Sequence, residues 1–176
     1  MDLQFIVYAC PTGELAKQLE TYWQLSREQC GANSAHNYMP HCTLTGFFRD
    51  RADSASYYLQ ALEEAYQSAQ NNLSLEIEIV NLVFNSDWHG LELQAQGVKE
   101  LVHNFAQIET SPTRTEAIRL KDWLHLSLAY GYTPEARSQL EQLAKNVIDI
   151  KANVGWELRF YQRTNTVWEC LNTWTL

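Results

Sequence analysis

The chain has 176 residues, 45% of them apolar and 19% charged, with a formal net charge of −8. That length suits one compact domain with a sizeable core. The acidic balance argues against a protein that lives on long RNA or DNA, because such proteins present a basic face to phosphates. The opening "MDLQFIVYAC" begins on an acid, and its apolar run is too short and too alternating for a signal peptide or a membrane span. Four scattered cysteines (Cys10, Cys30, Cys42 and Cys170) form no CxxC pair. They favour reduced thiols in the cytoplasm over a disulfide framework or a zinc cage.

Residues 3–9, "LQFIVYA", predict a buried strand. "TGELAKQLETYWQL" then reads as a helix with Thr12 as N-cap and Leu15, Leu19, Tyr22 and Trp23 along one face. Residues 31–39 form a polar loop, and a strand is expected over 41–48. "DSASYYLQALEEAYQSAQNN" is an amphipathic helix. "LSLEIEIVNLVF" (73–84) alternates as a half-exposed strand, "NSDWHG" turns the chain, and a second strand carries Leu91, Leu93 and Ala95. A helix over 97–107 and the loop "ETSPTRTEA" lead to a strand over 124–130. Thr133 and Pro134 signal the start of another helix. "VGWELRFYQR" and "TVWECLNTW" close the chain as two strands with a turn near Thr164–Asn165.

Two copies of one unit stand out: a strand carrying histidine, a turn and an amphipathic helix. "PHCTLTGFF" (40–48) and "LHLSLAYGY" (124–132) each hold histidine, one apolar residue, a hydroxyl residue and leucine, with the histidines 84 residues apart. On a strand, positions i and i+2 share a face about 6.5–7 Å apart. His41 and Thr43 therefore face one way and Cys42 and Leu44 the other, and His125 and Ser127 repeat the pattern. Paired imidazoles suit phosphodiester chemistry. A neutral one takes a proton from water while a protonated one gives a proton to the leaving oxygen, and a pKa near 6.5 lets both states coexist. The hydroxyls would bond the non-bridging phosphate oxygens, where charge accumulates.

A lone His-x-Thr on a strand is more often structural, but duplication in matching contexts favours function, since the chain has five histidines. Phe47, Phe48, Trp88, Tyr130 and Tyr132 could stack a base. Core packing is the simpler role for most of them, with Tyr130 and Phe48 expected at a cleft rim. Arg119 and Lys121 could add charge beside a phosphate or simply solvate the surface. His36 lacks the partners of a metal site, and no metal or cofactor is expected. His89 and His103 read as solvent-facing, and strand alternation turns the Cys42 thiol inward, away from any nucleophilic role.

"HCTL" and "HLSL", in this order and separation, resemble the paired motifs of the 2H (two-histidine) phosphoesterase superfamily. "YMPHCTLTG", "WLHLSLAYG" and the tail "YQRTNTVWECLNTW" are similar to its cyclic phosphodiesterase branch. The resemblance implies an α+β, bilobal, duplicated fold in a single two-lobed domain over residues 1–176, with two antiparallel sheets facing a central cleft and helices outside. It implies hydrolysis of nucleoside 2′,3′-cyclic phosphates, or of ADP-ribose cyclic phosphate, without a metal. His41 and His125 then match the acid–base pair, Thr43 and Ser127 the phosphate-binding hydroxyls, and Tyr130 a cleft aromatic. Which histidine is the base does not follow from sequence, with a lean to His125 activating water and His41 protonating the leaving oxygen. The disulfide-forming cysteines of some plant members have no counterpart here. The expected partner is a small cyclic-phosphate nucleotide bound by a monomer away from membranes. Processing of RNA 3′ ends, or a catalytically silent nucleotide- or RNA-binding module, are the alternatives.

Overall fold

A computed structural model describes residues 2–165 and 167–176. Its eight strands are β1 (Asp2–Thr12), β2 (Cys42–Thr43), β3 (Phe48–Arg51), β4 (Glu78–Phe84), β5 (Trp88–Gln94), β6 (Leu124–Tyr130), β7 (Val154–Thr164) and β8 (Val167–Thr175). Four helices, α1 (Gly13–Cys30), α2 (Ala55–Asn72), α3 (Gln96–Ile108) and α4 (Arg137–Val147), lie between them. Every strand pairing is antiparallel, in the order β4-β5-β6-β2-β1-β7-β8, with β3 also on β1. The α+β architecture follows the expectation, with the strands of both halves joined into one hydrogen-bonded path by β2. Among the described residues no helix is long and apolar enough to cross a membrane.

β1 is central and buried on both faces, which is why its sequence is a nearly unbroken apolar run. Phe5, Val7 and Ala9 join the main core, to which all four helices contribute, while Ile6, Tyr8 and Cys10 lie with Tyr161 in a smaller cluster on the opposite face. The helices thus blanket one face of the sheet and leave the other to build a cleft. The duplication survives in the local structure. β3 and β6 are each followed by a short 3-10 turn (Ala52–Ser54 and Pro134–Ala136) and then by α2 and α4.

Several boundaries differ from the expectation. The strand expected over 41–48 is interrupted: β2 holds two residues, and pairing with β1 shifts between Tyr8↔Thr43 and Phe5↔Phe48. Thr45 fills the gap, its hydroxyl accepting from the Val7 N–H at 3.0 Å. Residues 73–77 precede β4 and are not strand, and Trp88 and His89 belong to β5 and not to a turn. Thr12 occupies the N-cap of α1 without a side-chain cap bond. Thr166, expected to open the last strand, lies outside the described residues.

The loop after α3 is pinned to β3 by a buried carboxylate. Asp50 is 4% exposed and accepts from Tyr58 and Ser111 at 2.5 Å, Thr113 at 2.7 Å and the Arg51 N–H at 2.8 Å. Burial pushes its carboxyl up, but the bonds from Ser111, Thr113, Tyr58 and Arg51 outweigh it and hold the group at about 2. Glu109 and Arg114 form an ion pair in the same loop.

Candidate active site

β2 joins β6 at one registered pair, Cys42 with Leu126. Both side chains are buried in the main core, so their neighbours in the ladder point to the opposite face. That register sets His41 across from Ser127 and Thr43 across from His125. The two histidines are then diagonal neighbours, a relation that places positions about 7–8 Å apart. A tetrahedral phosphate gripped from two sides fits such a span.

All four side chains line one cleft of about 540 Å³, with Trp23, Ala35, Tyr38, Asp87, Trp88, Tyr130 and Gly131 completing its wall. Tyr38 follows a 3-10 turn at Ser34–Asn37 that is capped reciprocally by Asn33 and His36. His36 is consumed there: its Nδ1 accepts from the Asn33 N–H at 3.0 Å and its Nε2 lies 2.9 Å from Ser26 Oγ.

The two imidazoles are held differently. His41 Nδ1 lies 2.7 Å from the Met39 carbonyl, to which it donates as N–H, leaving Nε2 free. The Tyr8 ring sits 4.0 Å from the His41 ring centre to centre. Burial pushes the His41 pKa down, the Met39 carbonyl pulls it up, and the charge of nearby His125 lowers it further. His125 is bracketed by Trp123, stacked at 4.0 Å, and by Trp88, edge-on at 5.3 Å. Its Nδ1 is buried with no hydrogen bond of normal geometry. Burial again lowers its pKa, with the Trp123 carbonyl opposing and Lys121 adding to the fall.

Of the sequence-predicted residues, His41, Thr43, His125, Ser127 and Tyr130 come together in the cleft. Phe48 does not. It is 2% exposed and packs with Phe5, Tyr58 and Phe160 in the core. The reason is parity: position 48 shares its face with Cys42, and the shift between β2 and β3 is by two residues, which preserves that face. Phe47 instead packs on Trp168, beside Tyr8. His89, expected in solvent, is fully buried on the core face of β5 against Phe84 and Tyr132, and neither ring nitrogen has a hydrogen-bond partner among the described residues. Arg119 and Lys121 are exposed and do not line the cleft. His103 is exposed, as expected, and Cys42 faces the core.

Tyr8, Tyr38, Asp87 and Trp123 are site residues that sequence reasoning missed, and Trp88, a base-stacking candidate for which core packing was the simpler role, also lines the cleft. Trp123 carried a usable signal: a tryptophan two residues before a cleft histidine, immediately ahead of β6. It remains 51% exposed while stacked on His125.

No known protein-family model matches the chain. Over 163 residues it is 32% identical to the ubiquitin-associated and SH3 domain-containing protein B of Mus musculus, a match covering 91% of this chain and 25% of that protein. It is 28% identical over 163 residues to the ecdysteroid-phosphate phosphatase of Bombyx mori, covering 91% of this chain and 24% of the relative. The Drosophila melanogaster ecdysteroid-phosphate phosphatase is 29% identical over 195 residues, covering 91% and 26%. The chain therefore resembles these proteins along nearly all of its own length while spanning about a quarter of theirs.

Proposed function

We propose that this chain is a two-histidine phosphoesterase that hydrolyses small cyclic phosphates, with nucleoside 2′,3′-cyclic phosphates as its substrate class. One observation carries the reading: two strand-borne His-x-hydroxyl pairs meet side by side on one wall of a cleft. Together they supply a base, an acid and two hydroxyl donors, the set needed to open a cyclic diester. Phosphoester hydrolysis as a general class gains support from relatives named as ecdysteroid-phosphate phosphatases.

In the proposed reaction one histidine takes a proton from water as its oxygen bonds to phosphorus. The ring P–O bond breaks, and the other histidine protonates the departing ribose oxygen, leaving a phosphomonoester. His41 fits the donor. The Met39 carbonyl stays bonded to Nδ1–H when the ring is charged and so offsets part of the cost of a buried cation. At His125 the Trp123 carbonyl opposes the fall in pKa without making a hydrogen bond of normal geometry to Nδ1, a weaker support that fits the base.

Charge favours a small substrate over an RNA end or an ADP-ribose derivative. Apart from the histidines, Asp87 is the only charged residue lining the cleft among the described residues. A single negative phosphate can be held by hydroxyls and one imidazolium, whereas additional phosphates would meet Asp87 with no Lys or Arg in the lining to balance it.

The test is to incubate the protein with each of the four 2′,3′-cyclic mononucleotides, a cyclic-ended oligonucleotide and a phosphate monoester, and to identify products. Mononucleotide turnover is expected to resist chelator and to fall by at least about a hundredfold in H41A and in H125A. Substantial activity in both variants, or turnover of the monoester alone, overturns the reading.

A further inference from the structure

We infer that Trp88 is a positioning residue, whose indole N–H fixes Ser127 as a hydrogen-bond donor towards the cleft. This rests on the function proposed above and concerns how the second motif is made ready for phosphate.

The device begins in the pairing of β5 with β6. Gly90 is opposite Ser127, but His89 is opposite Ala129, so Leu128 is an extra residue in β6. Trp88 and Gly90 share the cleft face of β5, and the indole folds back over the glycine. A Cβ placed on Gly90 would lie 2.2 Å from Trp88 Cζ2 and 2.7 Å from Cη2. The absent side chain at position 90 is therefore the slot that the six-membered ring occupies. From there Trp88 Nε1 donates to Ser127 Oγ at 2.9 Å.

The chemistry of the two groups then sets the direction of the serine proton. An indole N–H can only donate, while a hydroxyl has one proton and two lone pairs. With one lone pair engaged by Trp88, the serine proton must seek another acceptor. Among the described residues Ser127 Oγ has no other hydrogen-bond partner. Non-bridging phosphate oxygens are acceptors only, so the ligand receives the proton that the protein leaves unused. A hydroxyl oriented before the ligand arrives loses less freedom on binding and responds at once to charge developing in the transition state. Thr43, the corresponding residue of the first motif, makes no side-chain hydrogen bond among the described residues and has no such tether.

A double-mutant cycle tests this. W88F keeps an aromatic ring and removes the donor; benzothienylalanine at position 88 removes it while preserving the bicyclic shape, should the phenylalanine variant fold poorly. With a 2′,3′-cyclic mononucleotide, W88F is expected to lower kcat/KM by about tenfold, the usual worth of one hydrogen bond. The same replacement made in S127A should change it by less than about twofold, and in T43A by the same tenfold as in wild type. Equal losses from W88F with and without Ser127, or no loss from W88F, overturn the inference. If the wild-type protein turns over none of the cyclic mononucleotides, the catalytic reading falls. The orientation of Ser127 is then decided by the same cycle on nucleoside 3′-monophosphate binding, measured by calorimetry, where coupling between positions 88 and 127 supports it and additivity refutes it.

Discussion

Replacing Asp50 with asparagine removes a charge from the polar knot that ties β3 to the loop after α3, while nearly preserving its shape. The carboxyl lies at about 2 against an ordinary value of 3.8. Each pKa unit of such a difference is worth about 1.4 kcal/mol, so the ionised group contributes about 2.5 kcal/mol at neutral pH. The folded-state pKa lies below the unfolded one, so this contribution is complete above the unfolded value. It is lost as pH falls from about 4 through the folded value. D50N should therefore melt about 5–10 °C below wild type at pH 7 for a domain of this size. Urea unfolding followed by circular dichroism at pH 7, 5, 3 and 2 should show the gap narrowing by about 2 kcal/mol. A gap that stays constant from pH 5 to pH 2 would mean that hydrogen-bond shape, and not charge, explains the role of Asp50.

Three further outcomes follow from the geometry. Both cleft histidines have depressed pKa values. The base protonates only at lower pH and the acid loses its proton earlier, so the bell-shaped kcat/KM profile should centre below the 6.5 of free imidazole; an optimum above 7.5 contradicts this. F48A should cost about 3–5 kcal/mol of stability without raising KM, whereas Y130A should raise KM with little effect on melting. The buried, unpartnered His89 has a lowered pKa through burial. It therefore stays neutral in the folded protein while the unfolded chain protonates below about 6.5. Stability should fall as pH drops through that value, and comparing melts at pH 7.5 and 5.5 should show a smaller fall in H89L.

The four central side chains of the site were legible because period-two alternation places i and i+2 together and the pattern occurs twice. Alternation applied strictly would also have placed Phe48 with Cys42 on the core face and Phe47 on the cleft side, as found. Tyr130 reaches the cleft for a reason that sequence pattern does not expose. Counted from Ser127 it should face inward, but the extra residue at Leu128 flips the parity, leaving Leu128 and Ala129 buried and Tyr130 in the cleft. Reading "NSDWHG" as a turn leaves Trp88 as core and His89 as solvent-facing, whereas both belong to β5, whose regular alternation puts Trp88 and Gly90 on the cleft face and His89 on the core face. Helices were located well because their apolar faces match the main core. The two-residue length of β2 was not foreseen: Gly46 in "CTLTGFF" marks the place, but the break depends on residues 44–46 bonding to Arg119 and Lys121, a long-range partner that local pattern does not show.

The shortness of β2 gives a bound ligand a mechanical role. Where the two halves of the sheet touch, β2 and β6 share one registered pair, and the chain just beyond adds one isolated bridge between Thr45 and Leu120, a thin seam beside the nine-pair ladder of β1 with β7. A phosphate held at once by residues of β2 and β6 spans that seam and staples its edges together. Occupancy should therefore slow amide exchange along Cys42–Thr43 and Leu126 far more than in the long β1–β7 ladder, so that the ligand reinforces the scaffold along that seam.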